Sequence, residues 1–580
     1  MKINFFAVNN YRGISGGLEN NKINFHNTNT LFIYGQNNVG KSTFLKAYNF
    51  FYEDTLPLID DFHKKKIENE IEFEIEVILD SFDKGRIEKA APKQKESYKK
   101  YLNNDILRLK NTYKKGDKGK VEKLAQTYNP ATNTYESIGY GSIGLHSVFQ
   151  SCLPKPIFIK AMPSEEETKS ILNEILKAMA EGKLKDSELD ELQQARQKIK
   201  ELQDKMYNAE TIQNYQDSVN KYFKRIFSDT SLSFKEQKER LAWTENKLGK
   251  DFDIEFSKLN SDGTVNPQIP STTNHIGHGT IRTAIFTLLL MKDIAESFER
   301  QKGRKDYMVL FEEPELFLYP KIIKELRELI YQVSEEDLPY QILCASHSSA
   351  MIDLSKPKSS IIRLVKENEE TRIYQINDTF LKEAKNVKTD LELKQEMYEV
   401  LRFNPYICES FYSDEVVLVE GPTEEIIIRA YLQEIESNKS IFILNCGSVT
   451  NIPFYQKVFS KFKIKYHVIF DTDGQKIISS DLNGSPKFEN GIQGSISKQY
   501  EEDSIILAGK IGLLRVHDTT FEPAHQNKEI PAELQYTDIP SHGKPYNANQ
   551  YWRNTLQRNL SHADINKVPI IRYLKDIIGK

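Results

Sequence analysis

The sequence predicts a mixed α/β protein made of two α/β blocks, the first interrupted by a helical insertion. Three observations carry this. A strand, a glycine-rich loop and a helix follow one another in TLFIYGQNNVGKSTFLKAYNFF, Thr30 to Phe51. Apolar strands that end in acids recur at YMVLFEE, VVLVE and YHVIFD. Residues 164 to 245 are dominated by Leu, Ala, Glu, Gln and Lys, with no proline between Pro163 and Pro267, a helix-forming composition. At 580 residues the chain can hold two or more domains with proper cores.

In chain order, INFFAV, KINF and TLFIYG read as strands, followed by a helix from Lys41 to about Phe51. In IEFEIEVIL, Ile71, Phe73, Ile75 and Val77 alternate with Glu72, Glu74 and Glu76, which predicts a half-buried strand. From Lys84 to Lys123 the chain turns basic around a KKGDKGK break. That segment reads first as a solvated surface insertion and second as a nucleic-acid contact. In ELDELQQARQKIKELQDKM the apolar positions Leu189, Leu192, Ala195, Ile199, Leu202 and Met206 fall three or four apart. This predicts a coiled-coil or helical-hairpin seam that packs on its own chain or on a second copy. The α/β pattern resumes after Ser271, and the connector LKEAKNVKTDLELKQEMYEVL leads to a second block from about Ser413. The expected organisation is 1–163 and 251–380 for the first block, 164–250 for the insertion, 381–412 for the connector and 413–580 for the second block.

Net charge is −4, so any affinity for nucleic acid must come from local patches. Cys152, Cys344, Cys408 and Cys446 lie far apart, which argues against zinc and disulfides and fits a reducing cytoplasm. No apolar run approaches the roughly 18 residues that a membrane span requires. MKINFFAVNNYRGI is broken by Asn9, Asn10 and Arg12, which suits a first strand and not a signal peptide. The expectation is a soluble, cytoplasmic protein.

GQNNVGKST, Gly35 to Thr43, fits G-x-x-x-x-G-K-[ST] between a strand and a helix. Gly35 and Gly40 let backbone N–H groups, with those of Asn37, Asn38 and Thr43, wrap the phosphates of ATP. Lys41 neutralises the β and γ phosphates, and Ser42 can bind Mg²⁺. Downstream, Glu312 at the tip of YMVLF would hold the metal through a water, and Glu313 would orient or deprotonate the attacking water. His347 follows the strand ILCAS and is placed to reach the γ phosphate. This set resembles the ABC-type ATPases of the recombination-repair and SMC group, in which a second protomer completes each ATP site. The counterpart of their signature motif is HIGHGTIR, His275 to Arg282. Its Gly277, His278 and Gly279 depart from the usual serine-containing form, and no convincing Q-loop glutamine is found. Both departures point to ATP as a clamp more than a fuel.

The second block carries a different chemistry. Val416 to Val419 is an apolar strand closed by Glu420, and Gly421 then turns the chain into a helix. Glu424, four residues on, can face the same way across one turn. YHVIF ends in Asp471 and Asp473, two residues apart and so expected on one side of an extended segment. Parallel strands that deliver carboxylates at their C-terminal ends make a cup for Mg²⁺ or Mn²⁺. Two metals there would stabilise the attacking and leaving oxygens of a phosphodiester displacement.

This pairing resembles a Toprim domain, found in type IA and II topoisomerases, bacterial-type primases and OLD nucleases. With RFNPYICESFYSDEVVLVEGPTE behind an ABC ATPase, the chain is similar to the OLD (overcoming lysogenisation defect) family over nearly its whole length, residues 84 to 260 excepted. The resemblance implies an ABC-type ATPase domain with a helical insertion, followed by a Toprim domain with a parallel sheet. It implies Glu420, Glu424, Asp471 and Asp473 as the Toprim acids. It adds one acid from LLRVHDTTFE, Glu522 with Asp518 as the fallback, and Lys544 as a late lysine that stabilises the transition state. The implied activity is an ATP-controlled, Mg²⁺- or Mn²⁺-dependent DNA endonuclease or nickase in anti-phage defence. The implied partners are DNA and a second copy of the chain. In related systems they also include a helicase-like protein, as in Gabija, or a reverse transcriptase with its DNA and RNA, as in retrons. The competing reading is a non-catalytic DNA-binding or assembly ATPase with a Toprim scaffold. A topoisomerase would need a DNA-cleaving tyrosine in a further domain, and a primase a zinc module.

Overall fold

A computed structural model describes residues 1–25, 28–88, 99–116, 120–137, 153–161, 209–226, 230–236, 252–267, 278–289, 306–335, 340–356, 359–403, 405–435 and 440–579. The chain separates into two compact units, residues 1–352 with 357–373, and residues 353–356 with 374–580.

The first unit begins with β1 (Lys2–Asn9), β2 (Lys22–Asn24), β3 (Thr30–Tyr34), β4 (Ile71–Ile78), β5 (Ile106–Lys115), β6 (Val121–Asn129), β7 (Thr134–Ser137) and β8 (Lys155–Ile159). Strands β1, β2 and β4 to β7 form an antiparallel sheet in the order β2-β1-β4-β5-β6-β7. The apolar face of β4 is buried, as its alternation requires, against a helix, α1 (Lys41–Glu53), through Phe44, Tyr48 and Phe51. Its glutamate face is not simply solvated. Glu72 pairs with Lys110 at 2.6 Å, Glu74 accepts from the Tyr135 hydroxyl at 2.5 Å, and Glu76 pairs with Arg108. Cross-strand partners thus replace water along that face.

Part of the basic segment is built into this sheet, as β5 and the start of β6. Besides Arg108 and Lys110, Lys84 meets Asp105 at 2.5 Å, Lys100 meets Glu136 at 2.7 Å, and Lys123 meets Asp54. These five described cations are therefore each paired with a carboxylate.

Further strands follow: β9 (Thr230–Glu236), β10 (Phe252–Lys258), β11 (Tyr307–Glu312), β12 (Tyr340–Ala345), β13 (Ser359–Glu367) and β14 (Glu370–Asn377). The second sheet runs β14-β13-β3-β12-β11-β8, with β13, β3, β12, β11 and β8 parallel. The seam from Leu189 to Met206 lies outside the described residues. Within the expected helical insertion, Ala209–Ile226 is a helix, but residues 230–236 form a strand paired antiparallel with β10. The composition suggested helix. The period-two burial of Leu232 and Phe234, with Asn220 bonding both backbone groups of Leu232, selects the strand.

The second unit holds β15 (Glu415–Val419), β16 (Ile441–Asn445), β17 (Lys465–Asp471), a short hairpin of β18 (Ser479–Ser480) with β19 (Pro486–Lys487), and β20 (Leu514–His517). Its main sheet is β16-β15-β17-β20, parallel throughout. Pro422 opens the helix Pro422–Glu434 in its first turn, where its missing N–H costs nothing. That helix and Pro569–Ile578 pack on the sheet through Ile427, Ile428, Ile571 and Leu574. At the N-terminal edge, His467 accepts the Leu513 N–H on Nδ1 and so donates from Nε2 to Glu415 at 3.1 Å. This bond, aided by Lys465, holds Glu415 down to about 2. A carboxyl lowered on folding adds stability above its unfolded pKa, lost as pH falls through its folded value. Glu415→Gln should therefore lower unfolding stability by about 1.5–3 kcal/mol at pH 7. The difference from wild type should shrink as pH falls from about 4.5 towards 2, read from urea melts across that range.

Candidate nucleotide and metal sites

In the first unit, β3 runs into the phosphate loop at Gly35, whose φ is +151°. A Cβ there would lie 2.2 Å from the Leu364 carbonyl oxygen on β13. Gly40, at φ +111°, caps α1. Asn37 and Asn38 are exposed, Asn38 at φ +63°, while Ser42 and Thr43 are half-buried in the first turn of α1. Lys41 is buried and donates to the carbonyls of Gly35 and Gln36, both at 2.8 Å. Burial pulls it down to about 8, against the charges of Glu313 and Glu315. Gly35→Ala should destabilise this unit by roughly 2–4 kcal/mol, since it adds both a clash and a strained φ. A thermal melt checks this.

Parallel pairing places the ends of β11 and β12 beside β3. Glu312 closes β11, and Glu313 turns away at φ +45° with its N–H on the Ala345 carbonyl at 2.8 Å. Its carboxylate lies 3.4 Å from His347 Nε2. Burial and the Lys41 charge push His347 below the usual imidazole range, leaving it neutral. The His347 N–H donates to Glu315 at 2.6 Å, so Glu315 ties the two strand ends together. Positive-φ glycines, an inward lysine and strand-end acids form a cradle that fits a nucleotide phosphate chain with its metal. Of HIGHGTIR, residues 275–277 lie outside the described residues, and a helix starts at His278.

In the second unit, the parallel strands deliver their last residues to one sheet edge. Glu420 follows β15 and accepts the Asp471 N–H at 3.3 Å. Glu424, in the first turn of Pro422–Glu434, is buried. Asp471 pairs in register with His517, whose Nδ1 lies 3.1 Å from Asp471 Oδ1 and 3.7 Å from Glu424 Oε1. Asp473 does not continue the strand. It takes φ +50° and bonds the Thr519 carbonyl at 2.8 Å through its N–H. The simple alternation expected for Asp471 and Asp473 is therefore replaced by a left-handed turn, fixed by β20's continuation and by Gln493, which donates to Asp473 at 3.2 Å. Glu522 pairs with Lys544 at 3.3 Å, and Lys544 also feels Glu424 and Asp471. Asp518 is exposed.

Crowding shows in the protonation. Burial raises Glu420 to about 7, helped by Asp471, and Glu424 to about 8, helped by Asp471 and Glu420. Burial raises Asp471 to about 6, against a bond from the Phe521 N–H. Glu522 sits below the usual range: burial opposes this, and its own backbone N–H and Lys544 prevail. Carboxylates that resist ionising together, at the C-terminal edge of a parallel sheet, are a donor set suited to a divalent cation. Among the described residues, Glu424, Asp471 and His517 bring one donor atom each within 4.8 Å of one another.

Residues 1–352 match the AAA ATPase domain family, and residues 411–473 match the Toprim domain of overcoming lysogenization defect protein-like proteins. The chain belongs to the OLD family. The Old nuclease of Escherichia phage P2 is 22% identical over 466 residues, 76% of this chain and 73% of that protein. The endonuclease GajA of Bacillus cereus is 24% identical over 265 residues, 41% of this chain and 37% of that one. An SMC head bound to the C-terminal winged-helix domain of ScpA aligns over 67% of this chain and all of that chain, at 12% identity and a TM-score of 0.40. Among the described residues of this OLD protein, no helix is long and apolar enough to cross a membrane.

The structure brings together Glu420, Glu424, Asp471, Asp473, Glu522 and Lys544 in one unit of this OLD chain, and Lys41, Glu312, Glu313 and His347 in the other. Sequence reasoning missed Glu315 and His517. The EEPE spacing was a usable signal for Glu315. For His517 it was the position at the end of LLRVH, a strand that must lie beside YHVIFD for Glu522 to reach the acids.

Proposed function

We propose that this chain is an ATP-regulated, Mg²⁺- or Mn²⁺-dependent DNA endonuclease or nickase acting in anti-phage defence. The observation that supports it most is the convergence of four Toprim acids with the Glu522–Lys544 pair at one sheet edge, on a chain that also carries a formed phosphate loop. A bound divalent ion supplies Lewis-acid stabilisation of the attacking and leaving oxygens of a phosphodiester. Glu420, Glu424, Asp471 and Asp473 hold and orient that charge. Lys544, two-thirds exposed and tethered by Glu522, can meet the developing negative charge on the displaced phosphate. In the other unit, Lys41 and the loop N–H groups bind ATP phosphates, and Glu313, paired with neutral His347, orients water. On this reading the chain works as a homodimer or higher assembly on DNA. Its accessory partner is a helicase-like protein, as in Gabija, or a reverse transcriptase with its nucleic acid, as in retrons. The complete acid set with Lys544 weighs against a scaffold, since a decayed site loses some of its charged groups.

The test is incubation with supercoiled plasmid and single-stranded DNA, with Mg²⁺ or Mn²⁺, with and without ATP. Cutting that requires metal and stops on chelation is expected. No cutting under any of these conditions, or with the products of neighbouring genes added, would favour the scaffold.

A further inference from the structure

We infer that His517 is a nitrogen ligand to the metal held by Glu424 and Asp471, giving one Toprim position a preference for first-row transition ions over Mg²⁺. The inference rests on the metal-site reading above and goes beyond its acids. Strands β17 and β20 are parallel with Asp471 and His517 directly paired, so the imidazole reaches the edge that gathers the carboxylates. Its Nδ1 stands 3.1 Å from Asp471 Oδ1 and 3.7 Å from Glu424 Oε1. Donors at about 2.1 Å from an octahedral ion lie about 3 Å apart when adjacent and about 4.2 Å when opposite. The observed spacings are of that size.

The surroundings fix the ring. His517 is fully buried, edge-on to Phe521 at 5.0 Å and to His525 at 5.1 Å, and stacked on Tyr573 at 5.8 Å. Two other buried histidines of this unit use both nitrogens. In His467 they meet the Leu513 N–H and Glu415, and in His525 the Phe521 carbonyl and the Ile570 N–H. In His517, among the described residues, only Nδ1 is engaged, facing two carboxylates, and the buried Nε2 has no hydrogen-bond partner. Coordination through Nδ1 would place the ring proton on Nε2, so the support for the ligand role is the three-donor geometry at Nδ1. Imidazole suits later first-row ions, whereas Mg²⁺ prefers oxygen donors and water.

The test uses the full chain loaded with Mn²⁺, Co²⁺ or Mg²⁺. Pulsed EPR of the Mn²⁺-loaded protein should show coupling to a directly bound imidazole ¹⁴N, and the signal should vanish in both His517→Asn and Asp471→Asn. Asparagine offers an N–H near the Nδ1 position, so it can keep the hydrogen bond to Asp471 while removing the ligand. His517→Asn should weaken Co²⁺ binding by at least about tenfold and Mg²⁺ binding by less than about threefold. Bound Mn²⁺ without nitrogen coupling, or equal losses for Co²⁺ and Mg²⁺, would overturn the ligand role and leave the acid site standing. If no ion binds the wild-type protein in an Asp471-dependent way, the metal reading falls and this inference with it. The wild-type spectrum decides even if the variant fails to fold.

Discussion

Asp471→Ala should abolish DNA cleavage, by on the order of 10³-fold or more, the scale expected when a group acting at the reacting centre is lost. Asp471 is the shared member of the cluster. Its N–H bonds Glu420, its carboxylate faces His517 and Glu424, and its charge is felt by Lys544. The same change should leave the fold and ATP binding intact. The carboxyl is held above its ordinary range mainly by burial, so its removal relieves a cost of folding. Melting in metal-free buffer should then match or exceed wild type, while the rise in melting temperature caused by Mn²⁺ disappears. Nicking assays beside thermal melts distinguish this from simple unfolding. Lost cleavage with a lowered metal-free melting temperature would count against Asp471 as a functional group.

Lys41→Ala should weaken nucleotide binding by about 10²-fold or more and make cleavage the same with and without ATP. Lys41 is the buried cation of the phosphate loop, and Glu313 and Glu315 add negative charge close by. Without it, polyphosphate would meet those carboxylates with only backbone N–H groups to offset them. A fluorescent ATP analogue measures the first effect, and plasmid cutting measures the second. Retained affinity would remove the loop from the nucleotide site.

Much of this was legible because it is local. A Gly-x-x-x-x-Gly-Lys-Ser run needs only its flanking strand and helix to become a phosphate cradle, and strand-end acids announce themselves at Glu312, Glu420 and Asp471. The less legible parts depend on neighbours distant in sequence. Glu72, Glu74 and Glu76 looked solvent-facing because their partners, Lys110, Tyr135 and Arg108, lie on other strands. Residues 230–236 carried helix-like surroundings, and the pairing with β10, with the burial of Leu232 and Phe234 and the bonds from distant Asn220, selects a strand. His517 acquires its place among the acids from register with Asp471, which no single stretch of sequence encodes. Asp473 departs from alternation because its backbone follows Thr519 on the neighbouring segment.

The bonds from Lys41 to the Gly35 and Gln36 carbonyls bear on how quickly the protein can respond to its nucleotide. The lysine already spans the mouth of its own loop, so capturing ATP is an exchange of acceptors, carbonyl for phosphate oxygen, and not the assembly of a disordered hairpin. Most of the ordering is completed when the chain folds. The ordering cost that a floppy loop would meet at each encounter is thus met once, in folding.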